Sequence, residues 1–111
     1  MANCVFCKIA SKEINSNIVH EDDRFIAVHD ISPLAPIHVL IMPKEHYHSI
    51  NDVTDESVLG GAYLLAAKLA KKLKIADSGY RLVVNTGRDG GQTVQHMHIH
   101  LLGGKALGGL C

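Results

Sequence analysis

The 111-residue sequence has no excess of charge of either sign: eleven Lys and Arg offset eleven Asp and Glu. A protein that grips polyanions normally shows a basic patch or stripe, and none is concentrated here. Nucleic acid is therefore not an expected partner; small molecules and other proteins are. Long apolar runs are also missing. No stretch approaches the roughly 20 residues that span a bilayer, so no membrane association is expected. The opening Met1-Ala2-Asn3-Cys4-Val5-Phe6-Cys7-Lys8 lacks an apolar run closed by small residues, and no signal peptide is expected. Cysteine is scarce, at three residues. An odd count without an export signal reads as reduced thiols in the cytoplasm, not as a disulfide framework. Repeats, low-complexity tracts and linkers are absent. The length suits one domain over residues 1–111, with a short tail over 105–111.

What is present alternates between strand and helix signals. Arg24 to Asp30 reads as a strand, closed by the Ser32-Pro33-Leu34-Ala35-Pro36 loop, whose prolines cannot donate backbone bonds. His38 to Met42 reads as a second, stopped by Pro43. Asn51 to Asp55 opens a helix, with Thr54 or Asp52 as cap and Asp55 and Glu56 suited to its positive end. Val58, Ala62, Leu65, Ala66, Leu69 and Leu73 then share one helical face. Gly60-Gly61 inside it costs about 1 kcal/mol per glycine relative to alanine, which suggests either a tolerated weakness or close approach of another backbone. Tyr80 to Asn85 and His96 to Leu102 read as two more strands, joined by a glycine-bearing connection over Thr86 to Thr93. A short helix is expected over Val5 to Lys12. The fold class is α+β: an antiparallel sheet with one main helix and a short N-terminal one.

Eight histidines are the outstanding compositional feature. Three fall in His96-Met97-His98-Ile99-His100-Leu101-Leu102. Side chains alternate across a strand, so His96, His98 and His100 share one face and Met97, Ile99 and Leu101 the other. Each imidazole donates and accepts, and each titrates near neutral pH. The other readings are an exposed polar strand face or a metal cluster. The preceding Gly87-Arg88-Asp89-Gly90-Gly91-Gln92-Thr93 reads as a hairpin loop or a phosphate cradle. It is no Walker A loop, because no Gly-Lys-Ser/Thr follows.

His-x-His-x-His followed by two apolar residues resembles the signature of the histidine-triad (HIT) nucleotide hydrolases and transferases. The likeness extends to His29-Asp30-Ile31-Ser32-Pro33 with His38, to Pro43-Lys44-Glu45-His46, to Val83-Val84-Asn85-Thr86-Gly87, and to Gly90-Gly91-Gln92-Thr93-Val94. It runs from about Cys4 to Gly104. It is nearest the Hint branch, the purine nucleoside phosphoramidases. His100 stands where the galactose-1-phosphate uridylyltransferase branch has glutamine.

The resemblance implies specific roles. His98 would attack the α-phosphorus and carry a nucleotidyl group that water then releases. The backbone carbonyl of His96 would fix its tautomer, and His38 and His100 would contact phosphate oxygens or the leaving group. Asp30 would take the ribose hydroxyls; its plain alternative is a turn-initiating Asp. Phe6, Ile9, Val28, Ile31 and Leu40 would enclose the base, with ordinary core packing as the alternative. Asn85, Gly91, Gln92 and Thr93 would contact phosphate and ribose. The expected substrates are AMP or GMP conjugates of amines, including aminoacyl adenylates. A dinucleoside polyphosphate hydrolase and a zinc-stabilised nucleotide-binding or interaction module are the competing readings. The resemblance also implies a homodimer with a continuous sheet.

Cys4-x-x-Cys7 has the spacing of half a zinc site. Similar bacterial HIT proteins can complete it with the counterparts of His46 and His96, giving a closed structural shell. Others hold no metal, so a zinc site and a pair of reduced cysteines both stand. Catalysis requires no cofactor on this resemblance. His20, His29 and His48 receive no role.

Overall fold

The computed structural model describes residues 4–109. Residues 1–3 and 110–111, the last two of the expected tail among them, lie outside the described residues. The chain runs α1 (Val5–Ala10), β1 (Ile18–Glu21), β2 (Phe25–His29), β3 (Ile37–Pro43), α2 (Glu56–Lys72), β4 (Tyr80–Val83) and β5 (Ile99–Gly103). One five-stranded sheet has the order β1-β2-β3-β5-β4, with every neighbouring pair antiparallel. β1, β2 and β3 form a meander, and β5 returns between β3 and β4. The α+β class expected from the sequence is the observed one.

The two sheet faces bury different residues because strand side chains alternate. Ala27, Val39, Ile41, Ile99 and Leu101 point to the side covered by α2. Ile26, Val28, Leu40 and Met42 point to the other, where α1 lays Phe6 and Ile9 against them. Full burial of side chains such as Ile41 and Ile99 contributes about 1.5–3 kcal/mol each.

Four local expectations are corrected. The cap of α2 is Asp55, whose side chain accepts from the Ser57 N–H, and not Thr54 or Asp52; Asp52 belongs to a separate 3-10 turn, Ile50–Asp52. Ala70 completes the buried face of α2, while Leu73 is the half-buried C-cap. Gly61 is approached by a side chain and not by another backbone: a Cβ there would stand 2.9 Å from the tip of the Phe25 ring, while a Cβ at Gly60 would meet nothing within 4 Å. Strand β1 is additional to the four expected.

The last strand begins at Ile99, not His96. Its register explains the delay. β3 and β5 pair Ile37 with Gly103 and Ile41 with Ile99. Continuing that register would set Met97 opposite Pro43, which has no N–H to donate. The ladder stops, and the Met97 amide donates instead to the Tyr47 carbonyl at 2.7 Å. The alternation survives without the ladder: Met97 joins the α2-side core, and His96 and His98 lie on the α1 side against Phe6. β4 likewise ends at Val83 and leaves Asn85 in a connection.

Candidate active site

Beside α1 the sheet carries a cleft of about 360 Å³. Phe6, Ile9, Val28 and Leu40 form its apolar walls, Ile31 stands in its lining at 95% exposure, and Asp30, Thr93, His98 and His100 supply polar groups. His98 itself is only 5% exposed. Its Nδ1–H donates to the His96 carbonyl at 2.7 Å. A carbonyl only accepts, so the proton of neutral His98 is on Nδ1 and the lone pair is on Nε2. Phe6 packs edge-on against the ring, 4.9 Å between centroids, and fixes its plane.

A second chain of bonds sets the neighbouring tautomers. The Leu34 amide donates to Nδ1 of His38 at 3.1 Å. Neutral His38 therefore holds its proton on Nε2, and that N–H donates to Nδ1 of His100 at 2.9 Å. His100 is left with Nε2–H as its free donor. Asp30 Oδ2 stands 3.4 Å from His38 Nε2. Its Oδ1 accepts from the Ser32 amide at 2.8 Å, so Asp30 builds the turn as well as lining the cleft.

The glycine-rich turn is more self-contained than a phosphate cradle requires. The Gly91 and Gln92 amides donate to the Arg88 and Gly87 carbonyls. The Gln92 side chain is buried: Nε2 donates to the carbonyls of His48 and Val94, and Oε1 accepts from the Gly87 amide. Gln92 thus ties the turn to the segment after β3. Neither it, Gly91 nor Asn85 is in the cleft wall; Thr93 is.

The His96 imidazole is fully buried and is not part of the cleft lining. Its Nε2–H donates to the Pro43 carbonyl at 2.7 Å. Nδ1 then presents a lone pair to Cys4 Sγ at 3.3 Å and Cys7 Sγ at 3.5 Å, and His46 Nδ1 lies 3.2 Å from Cys7 Sγ. All four ligand atoms fall within 4.8 Å of one another. A tetrahedral zinc with ordinary Zn–S and Zn–N bonds sets S and N about 3.6 Å apart, so the donor set fits. The Pro43 carbonyl on the far ring nitrogen is the outer partner that orients a ligating histidine. Burial, with the neighbouring Cys4 thiol, pushes Cys7 up to about 11.

A model of the HIT domain family matches residues 11–107. The chain belongs to the HIT family. It is 50% identical over 106 residues to the purine nucleoside phosphoramidase of Escherichia coli K12, covering 94% of this chain and 89% of that protein. A HIT family hydrolase from Legionella pneumophila superposes with a TM-score of 0.90 at 48% identity, over 94% and 95% of the two chains. A histidine triad protein from Clostridium difficile gives 0.95 at 42% identity, over 99% and 97%. The chain is thus a HIT-family enzyme, and a hydrolase by reaction class.

Burial governs the charge of this HIT triad. It pushes His98, His96 and His38 below the ordinary 6.5. It takes His100 down to about 4, with His98 and His38 adding to the effect. The rings are neutral at pH 7, which keeps the Nε2 lone pair of His98 available. The unfolded chain takes up protons on these groups near 6.5 while the folded one resists them, so stability must fall with pH below that value. The melting temperature is expected to hold above pH 6.5 and to decline from there toward about 4. A pH series by calorimetry checks this, and a flat profile across that interval contradicts it.

Val5, Ile14, Asn15 and Ser16, with His29 at the end of β2, also line the cleft and receive no role from the sequence; Val94 beside Thr93 lines it too. They sit in helix, strand, loop and turn positions that only the fold brings to the histidines. Among the described residues no helix is long and apolar enough to cross a membrane.

Proposed function

We propose that this chain hydrolyses purine nucleoside phosphoramidates and related nucleotidyl conjugates, aminoacyl adenylates included, through a nucleotidyl-His98 intermediate. The observation that carries this reading is the 2.7 Å bond from His98 Nδ1 to the His96 carbonyl, which leaves Nε2 as the lone-pair nitrogen of a cleft residue. The 50% identity to a protein named a purine nucleoside phosphoramidase supports the substrate class.

In the first step a bond forms from His98 Nε2 to the α-phosphorus, and the bond from phosphorus to the leaving amine breaks. His100 Nε2–H donates a hydrogen bond to the leaving nitrogen, which takes its proton from solvent; the attacking water of the second step returns a proton to solvent, so His100 and His38 stay neutral throughout. Water then attacks phosphorus, His98 leaves, and the nucleoside monophosphate is released. Neutral donors fixed around the phosphate act mainly by preorganisation. Asp30 takes the ribose hydroxyls, and Phe6, Ile9, Val28, Ile31 and Leu40 surround the purine. Thr93 serves the phosphate directly. Gly91 and Gln92 serve it by holding the turn, and Asn85 keeps the phosphate and ribose contact that the family resemblance gives it.

Cys4, Cys7, His46 and His96 form a structural zinc site in this reading, pinning α1 beside the triad. It supplies no chemistry to the reaction. Residues 1–111 act as one domain in the cytoplasm, with neither nucleic acid nor membrane as partner. The chain pairs as a homodimer. β4 is a sheet edge open to a second copy, and Tyr63, Leu64 and Tyr80 are exposed on α2 and β4.

Competition between adenosine 5′-phosphoramidate and a diadenosine polyphosphate tests the substrate class. Preference for the phosphoramidate in kcat/KM is expected. Equal or better cleavage of the dinucleotide would move the chain to the polyphosphate hydrolases. Sedimentation at micromolar concentration tests the dimer, and monomer alone would refute it.

A further inference from the structure

Ser16 precedes β1 and takes no part in the chemistry above. Its hydroxyl oxygen is the one buried side-chain polar atom, among the described residues, that has no hydrogen-bond partner. The same residue lines the cleft that holds His98 and His100. Buried polar atoms are nearly always paired, so an orphan beside a cleft calls for a partner that the chain itself does not supply. Ser16 is held close to the nucleoside end. The next carbonyl along, that of Asn17, accepts from the His29 amide at 3.0 Å, one residue before Asp30. Asp30 suits the ribose hydroxyls and the triad the phosphate, so Ser16, with Asn15 and His29 beside it in the lining, is left to meet the edge of the base.

We infer that the Ser16 hydroxyl, enclosed and unpaired in the free protein, turns into the cleft and contacts the purine edge when nucleotide binds. This rests on the cleft being the nucleotide site. A hydroxyl both donates and accepts, so it can meet adenine or guanine by rotating its hydrogen. The contact therefore serves adenine and guanine alike.

Ser16→Ala is the test, read with AMP and GMP binding and with 5′-phosphoramidates of adenosine, guanosine and the 1-, 3- and 7-deaza adenosines. A neutral hydrogen bond made equally in ground and transition states appears in KM, and one such bond corresponds to a rise of about 2- to 10-fold. That rise is expected for both natural purines. One deaza analogue is expected to bind the wild type more weakly yet bind Ser16→Ala no differently from adenosine. The melting temperature of ligand-free Ser16→Ala is expected to equal or exceed that of the wild type, because an unpaired buried oxygen is removed. A merely structural serine would lower both stability and affinity. Unchanged KM and Kd, or the same loss with every base analogue, would overturn the inference, the second result assigning the hydroxyl to ribose. Failure of the wild type to bind AMP at all would instead strike the nucleotide reading, and this inference with it.

Discussion

His98→Ala is expected to lower kcat on adenosine 5′-phosphoramidate by about 10⁴-fold or more, the scale seen when a covalent nucleophile is deleted. The reason is positional. Among the described residues only His98 has one nitrogen tied to a carbonyl and the other left as a lone pair in the cleft. His100 cannot substitute, because its Nδ1 is occupied by His38 and its Nε2 holds the proton. Affinity for AMP is expected to change far less, since the apolar walls and Asp30 remain. The variant should fold, because the core on the α2 side does not include this ring. Steady-state rates with calorimetric titration of AMP check both halves. Retention of even a few per cent of kcat would remove His98 from the role.

Stripping metal is expected to have the second-largest effect, on stability and not on chemistry. Protein produced with zinc available is expected to carry about one zinc per chain. A ligand held at about 1,000 times its Kd stabilises by roughly 4 kcal/mol, and each kcal/mol moves a domain of this size by about 4–8 °C. A strong chelator should therefore lower the melting temperature by more than about 10 °C on that scale. Cys4→Ser should reproduce most of the drop. The kcat should change much less than in His98→Ala, because the His96 carbonyl and its ring bond to Pro43 do not depend on the cysteines. Uptake of zinc should release protons, since Cys7 stands at about 11 without a cation. Elemental analysis with thermal melts checks this; absence of zinc together with an unmoved melting temperature would leave two reduced thiols.

The parts legible in the sequence are those set by local period and by composition. Alternation in Met97-His98-Ile99-His100-Leu101 assigns the two sheet faces correctly although the ladder starts only at Ile99. The apolar spacing of α2 gives its buried face, with the end shifted to Ala70. Illegible are features that depend on a partner distant in sequence. β1 is four residues long, and its half-exposed pattern carries little periodicity. The halt of β5 depends on Pro43 lying across the register. Gln92 looks like a ligand contact beside glycines, yet its amide is enclosed by His48 and Val94. Ser16 has no motif at all; only the folded cleft gives it a place. The Cys4–Cys7 spacing is readable, but its closure depends on His46 and His96 arriving from two other segments.

The most direct measurement is chemical trapping of the intermediate. A brief incubation with labelled adenosine 5′-phosphoramidate, quenched under conditions that spare phosphorus–nitrogen bonds, is followed by peptide mapping. An acid-labile nucleotidyl group on His98, absent from His98→Ala, is the expected result. Full turnover with label on another residue, or with no protein-bound label during the first turnover, would contradict it.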